Sequence, residues 1–245
     1  RDVVRAADGQ FEKGRLVLEA ALYHALVNHE FVLHYQPQVD LATGRITGVE
    51  ALLRWQSPER GLVSPLEFIP LLEETGLIVP VGEWVLGEAC RQSVKWAQAG
   101  HHDLRVAVNL SALQFQQPRL AESVAMVIQR SGADPRNIEL EITENIAMNQ
   151  EEEVLDTLQQ LRDIGVSLAI DDFGTGYSSL SYLQQFPVNR LKIDQSFVRG
   201  PAAGSELTIA RAIVAMGTSL GLEVIAEGVE TADQRSRLQD CGCSE

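Results

Sequence analysis

The run 166-VSLAIDDFGTGYSSL-180 closes an apolar, strand-like segment on two adjacent aspartates, Asp171 and Asp172, and passes at once into a loop of small residues. Two carboxylates in one partly desolvated place repel each other, so they either take up a proton or share a positive partner. The same arrangement of strand and polar end recurs along the chain. Strand-like runs 31-FVLHYQPQV, 45-RITGVEALLRW, 104-LRVAVNLS, 138-IELEITE, 190-RLKID and 223-EVIAEGVE are separated by helical patterns. The segment 64-SPLEFIPLLEETG predicts a helix with Pro65 in its first position, Ser64 and Glu67 as a capping box and Gly76 at its exit. Further helical patterns cover 82–100, 119–132, 151–165, 178–186 and 206–221. Only 40-DLATG separates the first two strands, a hairpin length that makes that pair antiparallel, and everything after it reads βαβα.

Alternation of this kind suits a doubly wound open sheet or a (β/α)₈ barrel. The polar residues favour the barrel. Glu50, Asn109, Glu141, Asp171, Lys192 and Glu227 each sit toward the C-terminal part of a different strand. A barrel brings those ends to one mouth, whereas an open sheet spreads them too far apart to share a ligand. The expected fold class is therefore α/β, a modified (β/α)₈ TIM-like barrel with an antiparallel first strand. Seven core strands are visible where eight close a barrel, so the final strand is expected to be missing from the 245 residues.

Charge narrows the function classes. Lys and Arg number 20 against 34 Asp and Glu, a formal net charge of −14, and no basic run interleaved with aromatics occurs. Binding of a long nucleic acid needs clustered cations, which argues against it here. The three cysteines, Cys90, Cys241 and Cys243, have neither zinc spacing nor an even-numbered disulfide framework, which fits a reducing, cytoplasmic setting. No stretch approaches 18 consecutive apolar residues.

Glu50, Asn109, Glu141, Asp171, Asp172 and Glu227 offer oxygen ligands alone, with no Cys or His among them. Such a set suits a hard cation, Mg²⁺ or Mn²⁺, and a carboxylate pair with acids around it suggests two ions sharing a bridging ligand. Paired ions are a recurrent device for phosphoester hydrolysis. Taken singly, each feature has a plainer reading: the aspartate pair as a helix cap beside a solvated carboxylate, and FGTGYSS as an ordinary turn.

The motifs 50-EALLRW, 108-VNLS, 140-LEITE, 170-IDDFGTGYSSL, 191-LKIDQSFV and 224-VIAEGVET, in this order, resemble those of the EAL-domain phosphodiesterases, which hydrolyse cyclic di-GMP to linear pGpG. The resemblance runs from about Phe31 to Glu245. It implies that Glu50, Asn109, Glu141, Asp171, Asp172 and Glu227 bind metal, with Asp171 as the bridge. Ca²⁺, with longer bonds and looser geometry, is expected to occupy the site and inhibit. Glu227 is implied as general base, Lys192 as the group that holds the attacking water, and Asp194 as the residue that orients Lys192 or water. Arg54 would meet a substrate phosphate, and Gln36 a guanine or its neighbouring phosphate. The loop 173–179 resembles the family's mobile loop, with Glu144 as its anchor, and a homodimer is implied. Residues 1–30 are expected to be a linker and helix from an upstream sensory or GGDEF-type domain, and 31–245 the EAL domain. A non-hydrolysing cyclic di-GMP receptor of the same fold and an unrelated metal-dependent barrel, such as a lyase, are the competing readings.

Overall fold

Seven strands follow one another around a single sheet in the order β1 (Phe31–Val39), β2 (Ile46–Ser57), β4 (Arg105–Leu110), β5 (Ile138–Thr143), β6 (Ser167–Phe173), β7 (Arg190–Ile193) and β8 (Glu223–Ala226). A short β3 (Gly61–Val63) pairs back on β2 and was not anticipated from the sequence. The structure, a computed structural model, describes residues 15, 17–148, 152–176, 183–199 and 205–245, and not the side chains of 152 and 205–207. Residues 177–179 of the expected loop, 178–182 of an expected helix, Glu151 and most of the segment 1–16 lie outside the described residues. The first pair, β1 with β2, is antiparallel, as the short connection requires, and every later pair along the path is parallel.

At the ends of this curled sheet, the final residues lie alongside β8. Ser244 N and Glu245 N donate to Val224 O, Ala226 N donates to Glu245 O, and Leu41 N, just beyond β1, donates to Ser244 O at 3.0 Å. The backbone of 244–245 thus links the two sides of the gap that an eighth barrel strand would fill.

Helices cover the outer face. The helix Pro65–Glu74 starts where Pro65 predicts, but the capping box does not form: Ser64 is the N-cap without a side-chain bond. Ser64 and Glu67 are both exposed, so burial does not force their side chains to pair. The following helix, Ile78–Gln98, begins four residues before the expected start, because Ile78 and Val81 already bury on its inner face. Residues 17–25 are helical and place Leu18, Leu22 and Ala25 in the core, so this part of the expected linker packs on the barrel. Trp84 and Trp96 pack as aromatic partners of Phe31 and Tyr35. No helix among the described residues is long and apolar enough to cross a membrane.

The apolar core lies between sheet and helices, while the barrel interior is ionic. Side chains two apart on a strand share a face, so Glu139 with Glu141, and Arg190 with Lys192, point inward in two layers. In the lower layer Glu139, 1% exposed, lies 3.3 Å from Arg105 and 3.5 Å from Arg190. Glu245 lies 2.6 Å from Arg105 and 3.4 Å from Arg190. Gln38 accepts from Arg105 at 3.1 Å, and Gly48 leaves room for that bond, since a Cβ there would sit 2.6 Å from Gln38 Oε1.

Removing one partner from a buried pair leaves an uncompensated charge. Arg190→Met should therefore cost about 3–5 kcal/mol of unfolding free energy in urea. A loss below about 1 kcal/mol, the worth of an exposed pair, would show that the layer adds little.

Candidate active site

A regular strand would turn Asp171 and Asp172 to opposite faces. Strict alternation would therefore point Asp172 to the far side of its strand, and the structure departs from it. Between β6 and β7 the register passes from Ile170↔Leu191 to Phe173↔Ile193, so β6 carries one extra residue. Asp172 takes it up in the left-handed region at φ 53°, and its N–H donates to Asp171 Oδ1 at 3.0 Å. This bulge re-aims the second carboxylate. As a result, carboxylate oxygens of Asp171, Asp172 and Glu227 all lie within 4.8 Å of one another.

Lys192 stands at the middle of the mouth, 1% exposed. Its Nζ lies 2.7 Å from Glu141, 2.7 Å from Glu227, 3.1 Å from Asp171 and 3.5 Å from Glu50. Burial disfavours the charged amine, but the surrounding carboxylates, Glu141 first, outweigh it and hold Lys192 charged, well above the ordinary lysine range. Glu50 in turn accepts from Asn109 Nδ2 at 2.8 Å. Burial pushes the Glu227 carboxyl up, against the pull of Lys192. Burial, then the neighbouring Asp171 and Asp194, pushes Asp172 up as well.

Asp194 lies beside Asp172, and its Oδ1 accepts from Ser196 N at 3.0 Å. Burial opposes its ionisation, yet the bonding from Ser196 holds its carboxyl below the usual range. Glu144, 2% exposed, accepts from Gly174 N at 2.8 Å and Gly176 N at 3.2 Å through the same oxygen. Gly174 needs its φ of 100°, which few other residues tolerate.

Gln36 and Arg54 line two separate clefts, each shared with candidate ligands. Gln36 shares a cavity of about 490 Å³ with Glu50, Glu227 and Arg199. Arg54 shares one of about 310 Å³ with Asn109, Ser111 and Thr143. Larger hollows occur elsewhere, of about 900 Å³ beside Phe115 and Thr157 and about 560 Å³ beside Asp40 and His101. Neither contains a candidate ligand, so convergence of charge rather than volume selects the site.

A divalent cation fits these residues. Four carboxylates face one ammonium, leaving negative charge in surplus. Glu141 Oε1 is buried with no hydrogen-bond partner among the described residues. Oxygen donors alone line the group, which favours a hard ion. Sequence reasoning missed the inward-facing lower layer and the bulge; the two-residue spacing of Glu139 and Arg190 from Glu141 and Lys192 was the available signal for the first.

Lys192→Met would remove the one cation that the described residues place among these acids. In chelator the variant should lose about 3 kcal/mol of stability, as for a broken buried pair, and added Ca²⁺ should restore most of it. Thermal melts with and without Ca²⁺ read both effects, and equal melting of variant and parent in chelator would contradict this account.

Comparison with known proteins gives a consistent assignment. The EAL domain family matches residues 19–245. The chain is 50% identical over 224 residues to the bifunctional diguanylate cyclase/cyclic di-GMP phosphodiesterase MucR of Pseudomonas aeruginosa, covering 91% of this chain and 33% of that protein. It is 44% identical to the cyclic di-GMP phosphodiesterase PdeR of Escherichia coli, covering 94% and 35%. It thus spans about a third of the length of these relatives. Among solved structures, that of the PaMucR phosphodiesterase in complex with c-di-GMP superposes with a TM-score of 0.90 at 49% identity, over 93% of this chain and 92% of that one. The chain belongs to the EAL domain family.

Proposed function

We propose that this domain is a metal-dependent phosphodiesterase that hydrolyses cyclic di-GMP to linear pGpG. The observation that carries the reading is the convergence of Glu50, Glu141, Asp171 and Glu227 on Lys192 at the barrel mouth, with Asp172 turned in beside them. The activities named for MucR and PdeR support it. Glu50, Asn109, Glu141, Asp171, Asp172 and Glu227 would hold Mg²⁺ or Mn²⁺, two ions in all. Bound divalent cations would neutralise the phosphate and acidify water.

The chain's own groups supply the rest. Glu227, whose carboxyl burial makes more basic, accepts the proton of the attacking water. Lys192 donates a hydrogen bond that holds this water. The water oxygen forms a bond to phosphorus, one P–O bond of the ring breaks, the departing sugar oxygen takes a proton from solvent water, and Glu227 afterwards returns its proton to solvent. Arg54 offers its planar fork to a substrate phosphate, and Gln36 a donor and an acceptor to a guanine or its phosphate. Asp194, beside Asp172, orients Lys192 or the attacking water. An upstream GGDEF-type or sensory domain is the partner that the greater length of the relatives supports.

Incubation with cyclic di-GMP and Mg²⁺ or Mn²⁺, followed by chromatography, should yield pGpG, and Glu50→Ala should abolish it. Binding of the dinucleotide without turnover would identify a receptor instead. Replacing Mg²⁺ by Ca²⁺ should leave binding and stop turnover, because longer and looser Ca²⁺ bonds misplace the attacking water. Turnover in Ca²⁺ equal to that in Mg²⁺ would contradict the two-ion site. Asp172→Asn should lose most activity while calorimetry in Ca²⁺ still detects the dinucleotide.

A further inference from the structure

Asp171 and Asp172 stand near the end of β6 and Glu227 follows β8, yet β7 lies between those strands. The residues directly after β7, Asp194–Arg199, touch both neighbours. Toward β6, Asp194 lies beside Asp172, and the ring of Phe197 is pressed against Gly174. A Cβ on Gly174 would lie 2.9 Å from Phe197 Cε2 and 3.0 Å from Ile213 Cδ1. Toward β8, a Cβ on Gly228, the residue after Glu227, would lie 2.7 Å from Gln195 Cβ. Glu227 N itself donates to Ile193 O at 3.1 Å. Farther along, Arg199 pairs with Glu230 at 2.7 Å, and Val198 O accepts from Gln234 Nε2 at 3.3 Å.

The turn is also bound to itself. Phe197 N donates to Asp194 O at 3.0 Å, Arg199 N to Gln195 O at 2.9 Å, and Val198 is buried. A self-bonded segment that meets backbone without space for a methyl group on either side acts as a spacer, since close-packed contacts transmit displacement rather than absorb it. We propose that the β7 exit turn sets the separation of Asp172 from Glu227, with Phe197 as its positioning residue. The proposal rests on the two-ion reading above. Glu144 holds the N–H of Gly174 while Phe197 backs its Cα, so the bulge is clamped by a carboxylate and a ring.

Phe197→Ala, Phe197→Leu and the parent are compared by calorimetric titration with Ca²⁺, by thermal melting in chelator and by product formation with Mn²⁺. Phe197→Ala should weaken one Ca²⁺ site and lower kcat, each by about 10–100-fold as for outer residues that orient metal ligands, with KM little changed. Phe197→Leu, which refills most of the space, should recover much of both. Unchanged Ca²⁺ affinity in Phe197→Ala would overturn the proposal. So would joint loss of Ca²⁺ affinity, kcat and melting temperature that leucine fails to repair, for the ring would then serve only the fold. If the parent binds Ca²⁺ but forms no product, the phosphodiesterase reading fails, while the Ca²⁺ affinities of the two variants still decide the role of Phe197.

Discussion

A fully buried ammonium facing four carboxylates is the constraint around which this barrel is organised. Neither sign of charge is stable alone in such a place, because desolvation costs more than any single pair returns. Lys192 and its acids therefore have to arrive together, from β2, β5, β6, β7 and the residue after β8. Their neighbours in register make room: Ala107 lies opposite Glu50, and Ala169 opposite Glu141. Small side chains at these positions let the long stem of Lys192 and the carboxyl groups reach the axis.

The layer beneath solves a related problem in another way. Glu139, Arg105, Arg190 and Glu245 nearly balance one another, and the layer sits away from the mouth. Among the described residues, the upper layer has a single cation for four acids, and an unpartnered oxygen on Glu141. Two layers built from the same strands, one balanced and one not, separate a structural element from a reactive one. Placement at the C-terminal ends of the strands is where barrels assemble their chemistry from several chain segments.

Asp172 shows how local strain serves the same site. A non-glycine residue at φ 53° is held there at a cost on the order of 1–2 kcal/mol, against its own preference. The surrounding contacts compensate: Glu144 binds the amides of Gly174 and Gly176, and Phe197 and Ile213 leave no room beside Gly174. The bulge is over-determined from both sides, which is how a strained conformation persists.

The sequence by itself determined the strand and helix alternation, the antiparallel first pair and the acids at the strand ends, because these follow from periods of two and 3.6 residues and from turn length. Glu50, Glu141, Asp171 and Glu227 were legible as neighbours for that reason: a barrel brings C-terminal strand ends together whatever the details of packing. Only the tertiary structure decided that Asp172 turns in beside Asp171. A one-residue bulge at a non-glycine position is a response to contacts from β7, Glu144 and Phe197, all distant in sequence from Asp172 or on another strand. It also decided that residues 17–25 pack into the core and that Arg105, Glu139, Arg190 and Glu245 close a second ionic layer. A charge on a strand shows its face through periodicity, but its partner depends on register between strands, which no local pattern encodes.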